Sequence, residues 1–148
     1  MHIHGERHFE APREDVFRAL TDPEQVAGAF SAIELVEADG PDWTVFVRAP
    51  LPGGFRLKFS VRVDDLREPE HARLRAWGKS LAGRLSLASS FELRPDGAGT
   101  WMRWEADVDA AGLVSGLGSQ ALGPVATHQA ERALARLADR LERRATAR

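Results

Sequence analysis

Cysteine is missing altogether from the 148 residues, which removes disulfides, thiolate nucleophiles, iron–sulfur ligation and Cys-based zinc sites together. Also missing is any unbroken apolar run of the roughly 18 residues that a membrane-spanning helix needs, and the opening MHIHGERHFE has no apolar stretch of the signal-peptide kind. A cytoplasmic location is expected on these grounds. There is no excess of positive charge either. Twenty Lys plus Arg against 22 Asp plus Glu give a formal charge of -2, so no global basic field favours a nucleic-acid backbone. No Gly-rich phosphate loop, metalloprotease helix or nucleophile elbow occurs. What is present is a globular composition, 43% hydrophobic and 28% charged, over a length that suits one domain spanning 1–148.

The patterning runs from strand to helix to strands to helix. From His2 to Glu10 the residues alternate, with Ile3, Gly5, Arg7 and Phe9 on one face and His2, His4, Glu6, His8 and Glu10 on the other. Arg13 to Leu20 has the helical spacing Val16, Phe17, Leu20 with acids in its first turn, and Asp22-Pro23 reads as the cap and first residue of a second short helix. The middle is a series of period-two stretches separated by Asp39-Gly40-Pro41, Pro52-Gly53-Gly54, Glu68-Pro69-Glu70 and Asp96-Gly97, which are hairpin connections. The clearest strand carries Phe55, Leu57, Phe59, Val61 and Val63 on one face. Leu74, Ala76 and Gly78, then Leu85, Leu87, Ser89, Phe91 and Leu93, then Met102, Trp104, Ala106 and Val108 continue that inward set. From about Ser119 to Arg144 the period becomes helical, through Gly123, Ala126, Ala130, Leu134, Leu137 and Leu141. Pro124 marks either the start of this helix or a kink in it. The expectation is an α+β fold: a curved antiparallel sheet of six or seven strands around a long C-terminal helix, with two short helices after the first strand.

Such an arrangement predicts a pocket. The terminal helix offers Leu134, Leu137 and Leu141 in its second half but Ser119, Gly123, Thr127 and Ala130 in its first, opposite an inward sheet face that includes Gly78, Ser89 and Ala106. Side chains that small do not fill the space at the density of a protein interior, and an apolar pocket with a few polar points is the usual form of a small-molecule site. The competing reading is that Phe and Trp from the sheet fill the gap.

Several constellations bear on chemistry. His2, His4 and His8 share a face with Glu6, and imidazoles at alternate strand positions can chelate zinc or copper. The face points away from the pocket, so a solvated strand is the competing reading and no metal is expected. Arg7 falls on the inward face, where a guanidinium is costly unless paired; it could meet a ligand's carbonyl or carboxylate, or turn to solvent at a bulge. Ser89 and Thr127 are the other inward polar residues, and both could simply satisfy backbone groups. Trp104 stacks on a ligand or joins the core. Glu105, Asp107 and Asp109 alternate outward, where Arg56, Arg62, Arg73 and Arg75 on other strands are expected to pair with them. His71 in its turn and His128 on the outer side of the helix do not look catalytic.

The order of elements resembles the helix-grip fold of the START-like superfamily, and within it the chain is most similar to the carbon monoxide dehydrogenase CoxG family. The stretches that carry this are Gly5 with Phe9-Glu10-Ala11-Pro12, Leu20-Thr21-Asp22-Pro23-Glu24, Gly83 to Pro95, Glu105-Ala106-Asp107-Val108, and Gly112-Leu113-Val114-Ser115-Gly116-Leu117-Gly118 with Ala121-Leu122-Gly123. Gly28 to Ile33 stands where that family usually has a Cys-Ile-Pro-Gly-like stretch. Family members often continue into an apolar tail beyond the helix, so the resemblance does not by itself carry a membrane anchor to this sequence, and peripheral membrane contact is left open.

The resemblance implies a binding protein without catalysis or cofactor, holding a lipid- or quinone-like molecule and serving a larger oxidoreductase complex. Arg7, Phe30, Phe59, Ser89, Trp104, Gly123, Thr127 and Ala130 are the expected ligand contacts. The alternative is an enzyme of the cyclase or dehydratase kind acting in the same pocket; it lacks an inward Asp, Glu or His, and Arg7 stays protonated and is a poor general base.

Overall fold

The computed structural model describes residues 1–48, 56–80, 83–109 and 119–146. Strand β1 (His2–Phe9) leads into helices α1 (Arg13–Thr21) and α2 (Pro23–Ala29). Then come β2 (Ile33–Asp39), β3 (Asp42–Arg48), β4 (Arg56–Arg67), β5 (His71–Ser80), β6 (Gly83–Asp96), β7 (Gly99–Asp109) and α3 (Ser119–Thr146). The described strands form one antiparallel sheet in the order β1-β7-β6-β5-β4-β3-β2. Every neighbour but one is a hairpin partner in sequence; the exception is β1, which pairs with β7 and places the first helices between the two sheet edges in chain order. The result is α+β with a long C-terminal helix, the helix-grip arrangement. Pro52-Gly53-Gly54, Phe55 and the Gly112–Gly118 stretch lie outside the described residues.

Local chemistry explains most element ends. Gly40 and Gly97 turn the β2–β3 and β6–β7 hairpins with φ of 58° and 62°, a region open to glycine at no steric cost. In β4, Asp65 takes φ 50° where the pairing with β5 slips between Asp64 and Arg67, a bulge that ends the regular ladder. Helix α2 starts on Asp22, whose Oδ1 accepts from the Glu24 amide at 3.0 Å, with Pro23 at the first position. Its last carbonyls are met from outside the helix: Arg136 donates to Ala29 O at 2.8 Å and Arg140 to Gly28 O at 3.0 Å. Two cations on α3 thus close the negative end of α2 and fix the two helices together. Pro124 lies inside α3, which begins at Ser119. One of the two expected possibilities, a start at the proline, is thereby set aside.

The inner face is not one core but two. The first cluster joins Ile3, Phe9, Val16, Phe17, Leu20, Phe91, Leu93, Met102, Trp104 and Ala106 to Ala133, Leu134, Leu137, Ala138 and Leu141 of α3. The second joins Trp43, Val45, Phe59, Val61 and Val63 of β3 and β4. Helix α3 packs on β1, α2 and α1, so the first cluster is the one it closes. Behind that cluster Thr100 is fully buried and donates to Ala11 O at 2.6 Å, which ties the start of β7 to the chain leaving β1 and leaves no orphaned hydroxyl.

Candidate functional site

Between the two clusters the inward side chains remain apolar but only half-buried. Phe30, Leu87, Ala126 and Ala130 fringe the first cluster; Leu57, Leu74, Ala76 and Leu85 fringe the second. Strand alternation puts the sheet residues of this set on the inner face, and helical spacing puts Ala126 and Ala130 one turn apart on α3. The leucines and Phe30 among them are of a type that contributes about 1.5–3 kcal/mol when fully buried, and here that stabilisation is incomplete. Phe17 of the first cluster and Trp43 and Val63 of the second also line one cleft of about 410 Å³, together with Pro41 and the 54% exposed Leu66.

The expected contacts are distributed unevenly around this seam. Phe30 and Ala130 lie on it together. Phe59 is inside the second cluster and Trp104 inside the first, its indole lying across Gly5, where an added Cβ would come within 2.8 Å of the ring. That close approach is why β1 carries glycine there. Gly123 and Thr127 sit elsewhere, lining a groove of about 440 Å³ with His2, Ile3, His4, Pro124, His128 and Glu131 at the edge of β1. Ser89 donates to Leu74 O at 3.1 Å, so its hydroxyl already serves the backbone. Arg7 is half-buried opposite Met102, and its Nε is buried with no partner. An unpartnered guanidinium nitrogen costs desolvation free energy that a ligand oxygen would recover. Gln25 Oε1, buried and unpartnered beside Val26, is a second such atom; nothing in its sequence context marked it, because it lies on a helix with no inward polar pattern.

The outward residues settle into ion pairs, and not those expected. Arg56 reaches Glu34 at 2.8 Å, Arg62 reaches Asp42 at 3.2 Å, and Arg73 and Arg75 share Asp64. None reaches Glu105, Asp107 or Asp109, because β6 separates β5 from β7. The pair of arginines holds the Asp64 carboxyl below its usual range, the Arg73 hydrogen bond first and that of Arg75 behind it, against partial desolvation. His2 takes the place of an arginine beside β7, with Nδ1 2.8 Å from Asp107 and Nε2 3.8 Å from Glu105. His8 sits between Glu10, at 2.8 Å, and Asp96, at 2.9 Å. Glu10 foremost, then Asp96, raises its pKa over the opposing effect of desolvation. Among the described residues no group of three or more His, Asp or Glu is placed to hold a metal ion, and no helix is long and apolar enough to cross a membrane.

A twisted antiparallel sheet with a long helix against one end of its inner face, and an apolar seam along the rest, defines a helix-grip protein. The chain belongs to the carbon monoxide dehydrogenase CoxG family, whose profile matches residues 5–142. The same fold is found in a conserved protein from Geobacillus kaustophilus, with TM-score 0.86 at 16% identity over 97% of this chain and 96% of that one. A protein from Rhizobium leguminosarum gives 0.74 at 20% identity over 97% and 95%, and one from Chromobacterium violaceum 0.71 at 19% over 95% and 96%. No curated protein matches.

Proposed function

We propose that this protein is a single START-like domain that binds a small hydrophobic molecule, lipid- or quinone-like, without catalysis, in the seam between its two cores. The observation that carries this reading is the split core itself, with Phe30, Leu87, Ala126 and Ala130 half-buried against the first cluster and Leu57, Leu74, Ala76 and Leu85 half-buried against the second. A ligand in that seam would remove apolar surface from water on both sides at about 25 cal/mol per Å². Arg7 and Ser89 are its candidate polar contacts, and Phe59 and Trp104 are the candidate aromatic ones. The family's name supports an accessory role beside a carbon monoxide dehydrogenase-type enzyme, and we place the protein in that role in the cytoplasm. Cyclase or dehydratase chemistry gains nothing from the inner face: the inward positions from Ile3 to Phe9, Leu57 to Val63, Ala72 to Gly78, Leu85 to Leu93 and Thr100 to Val108 hold no Asp, Glu or His.

The test is titration with the fluorescent apolar probe 1-anilinonaphthalene-8-sulfonate. Wild type should bind it saturably, and Ala130→Trp, which fills the seam from α3, should lose roughly tenfold or more in affinity with its circular dichroism unchanged. Failure of wild type to bind, or equal binding by the filled variant, would remove the seam as a site.

A further inference from the structure

Three successive rows cross β5, β6 and β7 on the outer face of the sheet. By register they are Trp77, Ser86 and Asp109; Arg75, Ala88 and Asp107; and Arg73, Ser90 and Glu105. In every row the β5 residue is aromatic or cationic, the β6 residue is small and the β7 residue is anionic. The small β6 side chains leave a trough of about 490 Å³, with Ser86 and Ala88 at its floor, Arg75 and Trp77 in one wall and Asp107 and Asp109 in the other.

Pairing within the chain does not cancel the two walls. A single carboxylate, Asp64, serves both Arg73 and Arg75, and Lys79 and, on β4, Lys58 add positive charge to that side. On the other side His2 is bonded to Asp107, and among the described residues no ion pair reaches Asp109. Trp77 stands 48% exposed at the rim. A large exposed indole beside an unfilled trough is the composition of an interface anchor, since Trp and Arg dominate binding energy where surfaces meet.

We propose that this trough is a self-association surface and that its occupant is a second copy of this chain. An occupant must bring an aromatic or other bulky group to fill the trough, a cation for the Asp107 wall and anions for the β4–β5 side, and the protein's own outer face carries all three. A copy turned about an axis lying in the plane of the face, parallel to the strands and between β5 and β6, lays its β5 over this chain's β6 and its β7 over this chain's β4. The second copy's Trp77 and Arg75 then enter the trough over Ser86 and Ala88, with Arg75 against Asp107, and this chain's Trp77 and Arg75 enter the other trough in return. Such reciprocity is what a twofold interface requires. The four strands β4 to β7, about 4.8 Å apart and about ten residues long at about 3.4 Å each, make a patch of roughly 650 Å², within the roughly 600–1,000 Å² per partner of a standard stable interface.

Sedimentation velocity of the full chain, from micromolar to several hundred micromolar, tests the proposal. Wild type should show a concentration-dependent dimer that weakens in molar salt. Arg75→Glu and Asp107→Arg should each be monomeric, and an equimolar mixture of the two should dimerise again, because both symmetry-related contacts then join an acid to an arginine. Ala88→Arg, which fills the trough floor between Arg75 and Asp107, should also be monomeric and decides the matter if Arg75→Glu misfolds. A wild type that stays monomeric throughout overturns the proposal. So does a dimer indifferent to these substitutions, or a mixture of the charge variants that remains monomeric. None of these outcomes depends on whether the seam binds an apolar probe.

Discussion

The two ends of the inner face have the same apolar character and different fates. At the closed end Phe9 and Val16 are 0% exposed and Leu137 3%, under the half of α3 that carries leucines. At the open end Leu57, Leu85 and Leu87 are just as apolar and only half-buried, and the first half of α3 brings only Ala126 and Ala130 to the fringe of the core. Where α3 covers the sheet, the volume on the helix decides how far the core closes. Interiors need close packing on both sides of a contact, and α3 supplies that volume along only half its length. The closed end holds the fold, and the open end is where the proposed ligand would sit.

The sharpest way to break this comparison is to remove one large side chain from each end. Phe9→Ala should cost about 3–5 kcal/mol in urea denaturation, since a fully packed ring leaves a cavity. Leu87→Ala at the seam should cost about 1 kcal/mol, because much of its surface is already in water. Equal losses would mean that both ends are packed alike. Glycines sharpen the contrast by addition instead of removal. A Cβ at Gly5 would press within 2.8 Å of the Trp104 ring, whereas at Gly123 it would meet only the Met1 Sδ at 3.5 Å. Gly5→Ala should therefore cost about 1–3 kcal/mol by overpacking, while Gly123→Ala, inside α3, should gain about 0.5–1 kcal/mol from helix propensity. A loss at both positions would show that the helix start is as tightly held as the closed end.

Most of the architecture was legible because period-two and helical spacing report local burial directly. The β1 alternation, the Asp22 cap and the leucine half of α3 all emerge where the pattern puts them. The charged outer face was misread for a reason of topology: alternation shows which face Glu105, Asp107 and Asp109 occupy, but not that β6 stands between them and the arginines of β5. The same limit applies to the site. Spacing places Gly123 and Thr127 on the inward, sheet-facing side of α3 and gives no sign that they line a groove with His2 and His4. Thr100 and Gln25 passed unnoticed because a single buried polar atom has no periodicity; only its partner, or the lack of one, makes it visible.

The smallest expected effect concerns what braces the closed end from outside. His8 lies back to back with Phe9 along β1, and its two ring nitrogens each face a carboxylate, Glu10 and Asp96. Only the imidazolium can donate to both acceptors, which agrees with a pKa above the ordinary 6.5. A group whose pKa is higher in the folded chain than in the unfolded one stabilises the fold fully below the unfolded value and loses that contribution as pH rises through the folded value. Wild type should therefore exceed His8→Gln in urea midpoint most below about pH 6.5, and the advantage should fade on the alkaline side. An advantage that grows with pH would mean the ring is held neutral and the carboxylate contacts are incidental. Because His8 touches the closed end alone, His8→Gln should leave probe binding at the open end unchanged at every pH. A parallel change there would show that the two ends are coupled, and that closing one shapes the other.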